Sequence, residues 1–229
     1  MTEEIYYNAP CGLYVGFLES DEKRRQIFED VQAYAVTIKY ESLDIADWDT
    51  RWSNAQGDLL TDFENKDDTI YRGGQIKREH EKEAFFSLSR RKYQEFLGEK
   101  SEDECVLLLA YLSLKSISGN RSYCKTTNQM WVSRMAGQTK PTKEIPEPFA
   151  KYCTRYWSRR LRMLLWEYYN VSFFADQVRG FYFSTTLTMD ELASTVSTEK
   201  KKSKDISKRF AEAKKNAINK AYGSKKNHL

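Results

Sequence analysis

Sulfur and imidazole are scarce in this chain: four cysteines and two histidines among 229 residues. Cys11, Cys105, Cys124 and Cys153 are too widely spaced for a zinc knuckle, and the only histidines are His80 and His228, so no metal site is expected. Without a secretory signal the thiols are expected to be reduced. Cys105, Cys124 and Cys153, each with apolar or aromatic neighbours, read as small core residues. No apolar run approaches the roughly 20 residues of a membrane helix. The acidic start "MTEEIYYNAP" lacks the basic and apolar regions of a signal peptide. These absences predict a cytoplasmic protein with no membrane partner. There is also no Walker loop, no dinucleotide fingerprint and no Ser/His/Asp set. "YRGGQ" (71–75) is a lone Gly pair, and the carboxylates of "DLLTDFE" and "DDTIY" have nothing nearby to complete an acid–base or metal constellation. Neither an enzyme nor a cofactor is expected, and no internal repeat is visible.

What is present is a globular composition, 40% hydrophobic and 31% charged, with 15 Tyr, 12 Phe and 5 Trp available for packing. The length suits one domain with appendages. The net charge of +4 conceals a gradient. Residues 1–83 hold 10 Lys/Arg against 19 Asp/Glu, residues 84–198 hold 16 against 11, and residues 199–229 hold 11 against 3. That polarity suggests a polyanion partner for the basic part, with the acidic part restraining it.

Ile27, Val31, Tyr34, Ala35 and Ile38 recur at helical spacing and predict a helix over 20–40. Residues 41–83 are acidic and weakly periodic and read as a linker or arm that packs only in places, although Trp48, Trp52, Leu59, Leu60 and Phe63 argue against complete disorder. "FSLSRRKYQEFLG" (86–98) is helix-like. Ser101 and Glu104 form a capping box for a central apolar helix over about 102–118. After a short strand at Tyr123 and Cys124, Thr126 and Gln129 repeat that spacing and open a helix ended by Gly137. "GQTKPTKEIPEP" holds three of the four prolines and is an extended connection. A long helix is then predicted over 149–170. At 100° per residue Lys151, Arg155, Arg159 and Arg162 fall within about 80° of one another. Phe149, Cys153, Tyr156, Met163 and Leu164 lie opposite, with Arg160 pointing among them toward Glu167. "VSFFADQVRGFYFSTTL" has the composition of a hairpin. Thr188 and Glu191 cap a short helix, and a Lys-rich tail able to become helical on a partner follows.

This order of elements resembles a winged helix-turn-helix domain. "LSRRKYQEFLGEKSEDECVLLLAYLSLKSISGNRSYCKTTNQMWVSRMAG" is similar to the opening of the winged-helix domains of bacterial plasmid and phage replication initiators. The resemblance covers somewhat over a third of the chain. It implies a mainly α fold with a small β-hairpin, a positioning helix at 126–136, a recognition helix at 149–169 and a wing at 171–184. The connection of about twelve residues departs from the three or four typical of the motif. The domains expected are an acidic, partly helical region (1–83), a winged-helix-like domain (84–198) that folds on its own, and the tail (199–229). The function implied is binding of double-stranded DNA in replication initiation or transcriptional regulation of a bacterial or mobile element. Lys151 and Arg155 would contact bases, and Arg159 and Arg162 phosphates. Thr126, Thr127 and Arg134 would fix the backbone register unless the threonines merely cap a helix, and Arg179 would reach a neighbouring groove or phosphate. Phe173, Phe181 and Phe183 read first as core residues and second as base-stacking ones. An RNA-binding protein and a protein-interaction or assembly module remain open, and the aromatic N-terminal region offers a surface for a homodimer.

Overall fold

The structure, a computed structural model, describes residues 4–175 and 180–223. It is mainly helical with two small antiparallel sheets, and no helix among the described residues is long and apolar enough to cross a membrane. Ser20 lies in extended backbone and its hydroxyl accepts from Lys23 N, starting α1 (Asp21–Ser42) where the apolar spacing predicts it. Ile27, Val31, Tyr34 and Ala35 make the buried stripe. Arg24 also turns inward, donating through Nε to the Phe96 carbonyl (3.1 Å) and through Nη2 to that of Gly98 (3.3 Å).

Residues 41–83 depart from the expectation of a loosely packed linker. They form α2 (Trp48–Leu59) and α3 (Lys66–Glu79), whose starts are fixed by side chains: Asp47 accepts from Thr50 N, and Asn65 from Asp68 N. Trp52 and Ala55 bury against Val36 and Tyr40 of α1. The glycine pair of "YRGGQ" has a packing reason. A Cβ on Gly73 would collide with Thr37 Oγ1 and the Ala33 carbonyl, so α3 crosses α1 at backbone distance.

"FFSLS" alternates exposed and buried residues and is a strand rather than the expected start of a helix. As β2 (Phe85–Ser89) it pairs antiparallel with β1 (Tyr6–Pro10), Tyr7 opposite Leu88 and Ala9 opposite Phe86. The short α4 (Arg90–Glu95) follows, capped by Ser89. Tyr14 and Phe17, on a 3-10 helix over Cys11–Leu18, pack on Phe86, Tyr93 and Phe96. The expected boundary at Ala84 therefore separates two strands of one sheet and divides a single buried cluster running from Tyr7 to Phe183.

The centre of that cluster is α5 (Glu102–Ser118), which carries the predicted Ser101–Glu104 capping box with both bonds formed. β3 (Cys124–Thr126) leads into α6 (Asn128–Met135). The cap of α6 is Thr127, accepting from Met130 N, and not Thr126, which is buried on β3. Trp131 on α6 is fully buried and donates Nε1–H to the Ala110 carbonyl of α5 (3.0 Å).

The helix expected over 149–170 is broken. Residues Ala150–Cys153 form a 3-10 turn, Thr154 is extended, and only then does α7 (Arg155–Tyr169) begin. The break resets the helical phase. Ser158, Leu161 and Leu165 are buried, whereas Tyr156, Met163 and Cys153, expected to pack, are exposed. β4 (Ser172–Ala175) and β5 (Phe181–Ser184) complete a three-stranded sheet of order β3-β5-β4. Phe173, Phe183 and Cys124 stand opposite one another on one face, Phe174, Tyr182 and Lys125 on the other. Gly180, at φ +85°, has no room for a Cβ against the Thr126 carbonyl.

The predicted Thr188–Glu191 cap opens α8 (Met189–Gly223), one continuous helix rather than a short helix and a tail. No proline and no glycine interrupts residues 189–222, and Ala, Glu and Lys favour helix. Leu192 and Val196 are buried and Lys200 is half-buried, a stripe of spacing four facing the sheet, while residues 201–215 are exposed.

Two outcomes follow from this packing. A fragment spanning 84–198 loses the β1 partner of β2 and bares Phe86, Leu88 and Tyr93. It is expected to show no cooperative thermal transition by circular dichroism while the full chain does; a sharp transition would restore the boundary at Ala84. Hydrogen bonds from Ser101, the backbone amide first and the hydroxyl second, hold the Glu104 carboxyl below the ordinary glutamate range. A pKa lowered in the folded state gives stability that is present above the unfolded value and lost as pH falls through the folded one. Glu104→Gln keeps a capping partner that does not titrate. Its melting temperature should fall less on acidification than that of the parent, and identical acid limbs would refute the linkage.

Candidate nucleic-acid interface

Of the four cations expected on one helical face, three are brought together. Arg155, Arg159 and Arg162 line a cavity of about 510 Å³ between α7 and the β4–β5 pair, whose remaining walls are Asn128, Phe173, Phe174, Ala175, Gly180 and Phe181. Ser158, Leu161 and Leu165 anchor one side of α7 in the core, which leaves Arg155 and Arg159 outward and Arg162 at the margin. Arg162 is the most confined of the three. Its guanidinium lies 4.8 Å from the centroid of the buried Phe181 ring, and Nη1 donates to Asn128 Oδ1 at 3.4 Å. Asn128 is itself held by donating Nδ2–H to Ser158 Oγ (3.1 Å). Burial first, and the neighbouring Arg159 second, lower the Arg162 pKa. Among the described residues none of the three guanidiniums takes part in an ion pair.

The helix terminus adds to the positive field. α1, α2, α3 and α5 each start with a side-chain cap and an acidic first turn. α7 has neither, and opens on Arg155. A basic residue at the positive end of a helix is unfavourable by a few tenths of a kcal/mol, and like charges four apart, as at Arg155 and Arg159, add a similar cost. Partial burial opposes the charge of Arg162, and the cation–π contact with Phe181 offsets about 1 kcal/mol of that. An anion in the cavity relieves all three.

The other expected contacts are placed differently. Lys151 sits on the 3-10 turn, outside α7, and its ammonium is committed to Glu102 Oε1 (2.8 Å) and to the rings of Tyr152 and Trp157; the Glu102 bond chiefly raises its pKa. Arg134 is buried and serves as an internal clamp. It donates to the carbonyls of Gln138 (3.1 Å) and Thr139 (3.0 Å) and to Ser116 Oγ (2.7 Å), and burial lowers its pKa. Thr127 is a cap, and Thr126 Oγ1 is buried without a partner. Thr126 is therefore not placed to hold a backbone phosphate, whereas Thr127 is exposed and serves as the cap, the second of the two roles expected for it. Arg179 lies outside the described residues. Arg160, expected to turn inward toward Glu167, is exposed and lies over Trp157 (5.3 Å).

Asn128 and Phe174 join the cavity without having been singled out from sequence. The cue for Phe174 is its place opposite Tyr182 in a hairpin; nothing local marks Asn128, which belongs to α6 and meets α7 only in the fold. Behind the sheet, Lys200 of α8 approaches Phe174 (5.5 Å) and Tyr182 (5.3 Å), and Lys125 approaches Tyr182 (5.6 Å). A second cavity of about 440 Å³ also holds Lys92, Lys100 and Arg160, but with Glu95, Asp103 and Glu104 among its walls and ion pairs Lys92–Glu95 and Lys100–Glu104. Its charges largely cancel, so the arginine cavity is the stronger anion site.

No family model matches the chain, and no curated protein or solved structure matches it either. The site therefore rests on its own geometry.

The reassigned residues give a clear contrast. Arg134→Ala removes a buried clamp that ties three part-buried acceptors together and is expected to destabilise the protein by about 1–3 kcal/mol in chemical denaturation. Lys151→Ala removes an exposed pair and should change stability by less than about 1 kcal/mol. If the arginine cavity is a nucleic-acid site, neither should alter the salt dependence of binding, and a flattened salt slope for either would return it to the interface.

Proposed function

We propose that the protein binds nucleic acid through the arginine face of α7, with residues 102–196 arranged as a winged-helix-like module. The observation that carries this reading is the convergence of Arg155, Arg159 and Arg162, none of them ion-paired among the described residues, on one concave surface beside a β-hairpin. The order α5, β3, α6, α7, β4, β5 and the sheet order β3-β5-β4 support the module, since they set a basic helix beside a two-stranded wing. The long link between α6 and α7 does not leave α7 loose. Ser133 Oγ accepts from Thr142 N (3.0 Å), Gln129 Nε2 donates to the Thr142 carbonyl (2.8 Å), and Phe149 and Tyr152 are buried. The basic length of α8, starting at the back of the wing, extends the positive surface and supplies affinity without sequence preference. By its resemblance to initiator domains, the role is replication initiation or transcriptional control of a bacterial or mobile element, on double-stranded DNA.

A second reading is an assembly module. Tyr156, Met163 and Trp166, within about 80° of one another on α7, are all more than half exposed, an apolar strip that suits a protein partner.

Fluorescence anisotropy against random duplex, single strand and RNA at two salt concentrations separates the two. Removing one phosphate-neutralising cation should flatten the plot of log affinity against log salt by about 0.9 on duplex. The triple variant Arg155→Ala, Arg159→Ala, Arg162→Ala is expected to flatten it by about 2 to 3. Truncation after Thr198 should weaken all duplexes alike. On a selected site Arg155→Ala alone should cost about 1–3 kcal/mol if it reads a guanine. A folded triple variant that binds like the parent defeats the nucleic-acid reading, and retained self-association or partner capture would then favour the assembly module.

A further inference from the structure

We propose that the cavity between α7 and the β4–β5 pair receives a single unpaired nucleotide, its phosphate held by Arg155 and Arg159 and its base laid against Arg162 and Phe173. This rests on the nucleic-acid reading above and replaces base-edge reading by Arg155 with capture of an unpaired nucleotide.

The shape of the site argues first. A helix that reads a duplex presents side-chain tips outward to base edges in a groove. Here the arginines surround a hollow of about 510 Å³, inside the range of roughly 300–1,000 Å³ typical of small-ligand sites. The walls argue next. In a duplex the ring faces of the bases are hidden by stacking and only their edges are offered, so phenylalanine side chains lining a basic hollow have little to meet. An unpaired base offers a whole face, and stacking on aromatic rings tolerates any base. Arg162 supplies the third argument. Pinned by Asn128 and lying on Phe181, it is a fixed plane at the cavity wall rather than a long arm free to reach into a groove. Its guanidinium carbon lies 4.8 Å from the Phe181 centroid, which holds a cation at the cavity wall where a base can lie against it. Arg155 and Arg159 are exposed and carry the charge that a phosphate neutralises.

The test compares three short probes with the full chain at low salt: an intact duplex, the same duplex with one bulged nucleotide, and that duplex with an abasic bulge. The bulged probe is expected to bind about tenfold more tightly than the intact one, with the gain lost at the abasic bulge. A 2-aminopurine placed in the bulge should change its fluorescence on binding. Phe173→Leu, which keeps apolar bulk without a ring face, should reduce the preference for the bulge, and Arg159→Ala should weaken all three probes. The comparison of probes on the unmodified protein decides the matter even if a variant fails to fold. Equal affinity for intact and bulged duplex, or a preference that survives removal of the base, overturns this inference and leaves the nucleic-acid reading standing. No binding to any of the three overturns both.

Discussion

The arrangement of the site depends on one buried indole. Trp131 donates its only proton to the Ala110 carbonyl in the middle of α5, at 3.0 Å, and lies edge-on to Phe181 at 5.6 Å and tilted to Phe173 at 6.5 Å. A single side chain thus sets α6, the central helix and the hairpin relative to one another. Ser113 bends back to bond the Leu109 carbonyl in the same turn of α5, so the polar groups there are satisfied while the surroundings stay apolar. Removing so large a fully buried side chain typically costs about 3–5 kcal/mol. The consequence for the site is geometric as well. Phe181, on which Arg162 lies, is positioned by Trp131, so the plane of a guanidinium at the protein surface is set two layers down in the core.

The charges divide according to whether the fold uses them. In the N-terminal region Arg72 meets Glu29 and Asp30, Lys77 meets Glu41, Lys39 meets Asp58 and Lys66 meets Asp49, so acidic excess there is partly spent in holding α1, α2 and α3 together. Each such exposed pair contributes little, about 0–1 kcal/mol. Their importance lies in where the remaining charge is left. Lys151 and Arg134, which share the basic composition of residues 84–198, are consumed by Glu102 and by backbone carbonyls, while Arg155, Arg159 and Arg162 are not. Composition marks the half of the chain that is basic, and only packing marks which cations remain available.

Local signals in the sequence succeeded where local physics decides. The Ser101–Glu104 and Thr188–Glu191 caps, the α1 stripe and the buried Phe181 and Phe183 follow from spacing alone. The misses have non-local causes. α2 and α3 look weakly periodic because each buries only a few residues, and their stability comes from α1, which meets α3 at Gly73. "FFSLS" reads as part of a helix until β1, some eighty residues earlier, supplies its partner. Thr154 interrupts the long helix for reasons no three-residue window displays: Phe149 and Tyr152 must reach the core before α7 can start. Once the phase is reset, Lys151 leaves the basic face and Tyr156 and Met163 leave the apolar one. Of the candidate interface, Arg155, Arg159 and Arg162 were legible, because helical phase holds within α7. Asn128 and Phe174 were not, because they come from other elements.

Residues that violate local rules are most informative when they cluster, since a sequence that folds to one structure keeps its levels consistent except where function requires otherwise. Here the violations gather along the first half of α7: a helix start without a side-chain cap, an arginine at its positive pole, a second arginine one turn on, and a third half-buried against a ring at its middle. No carboxylate among the described residues has been placed to relieve them, although Glu and Asp do so at the starts of α1, α2, α3 and α5. Singly each costs a fraction of a kcal/mol to a few kcal/mol. The core around Trp131 tolerates that sum in the free protein, and a bound phosphate would reverse the sign of every contribution to it. On the proposed reading, the same unfavourable charges at the start of α7 are what would favour an anion at its face.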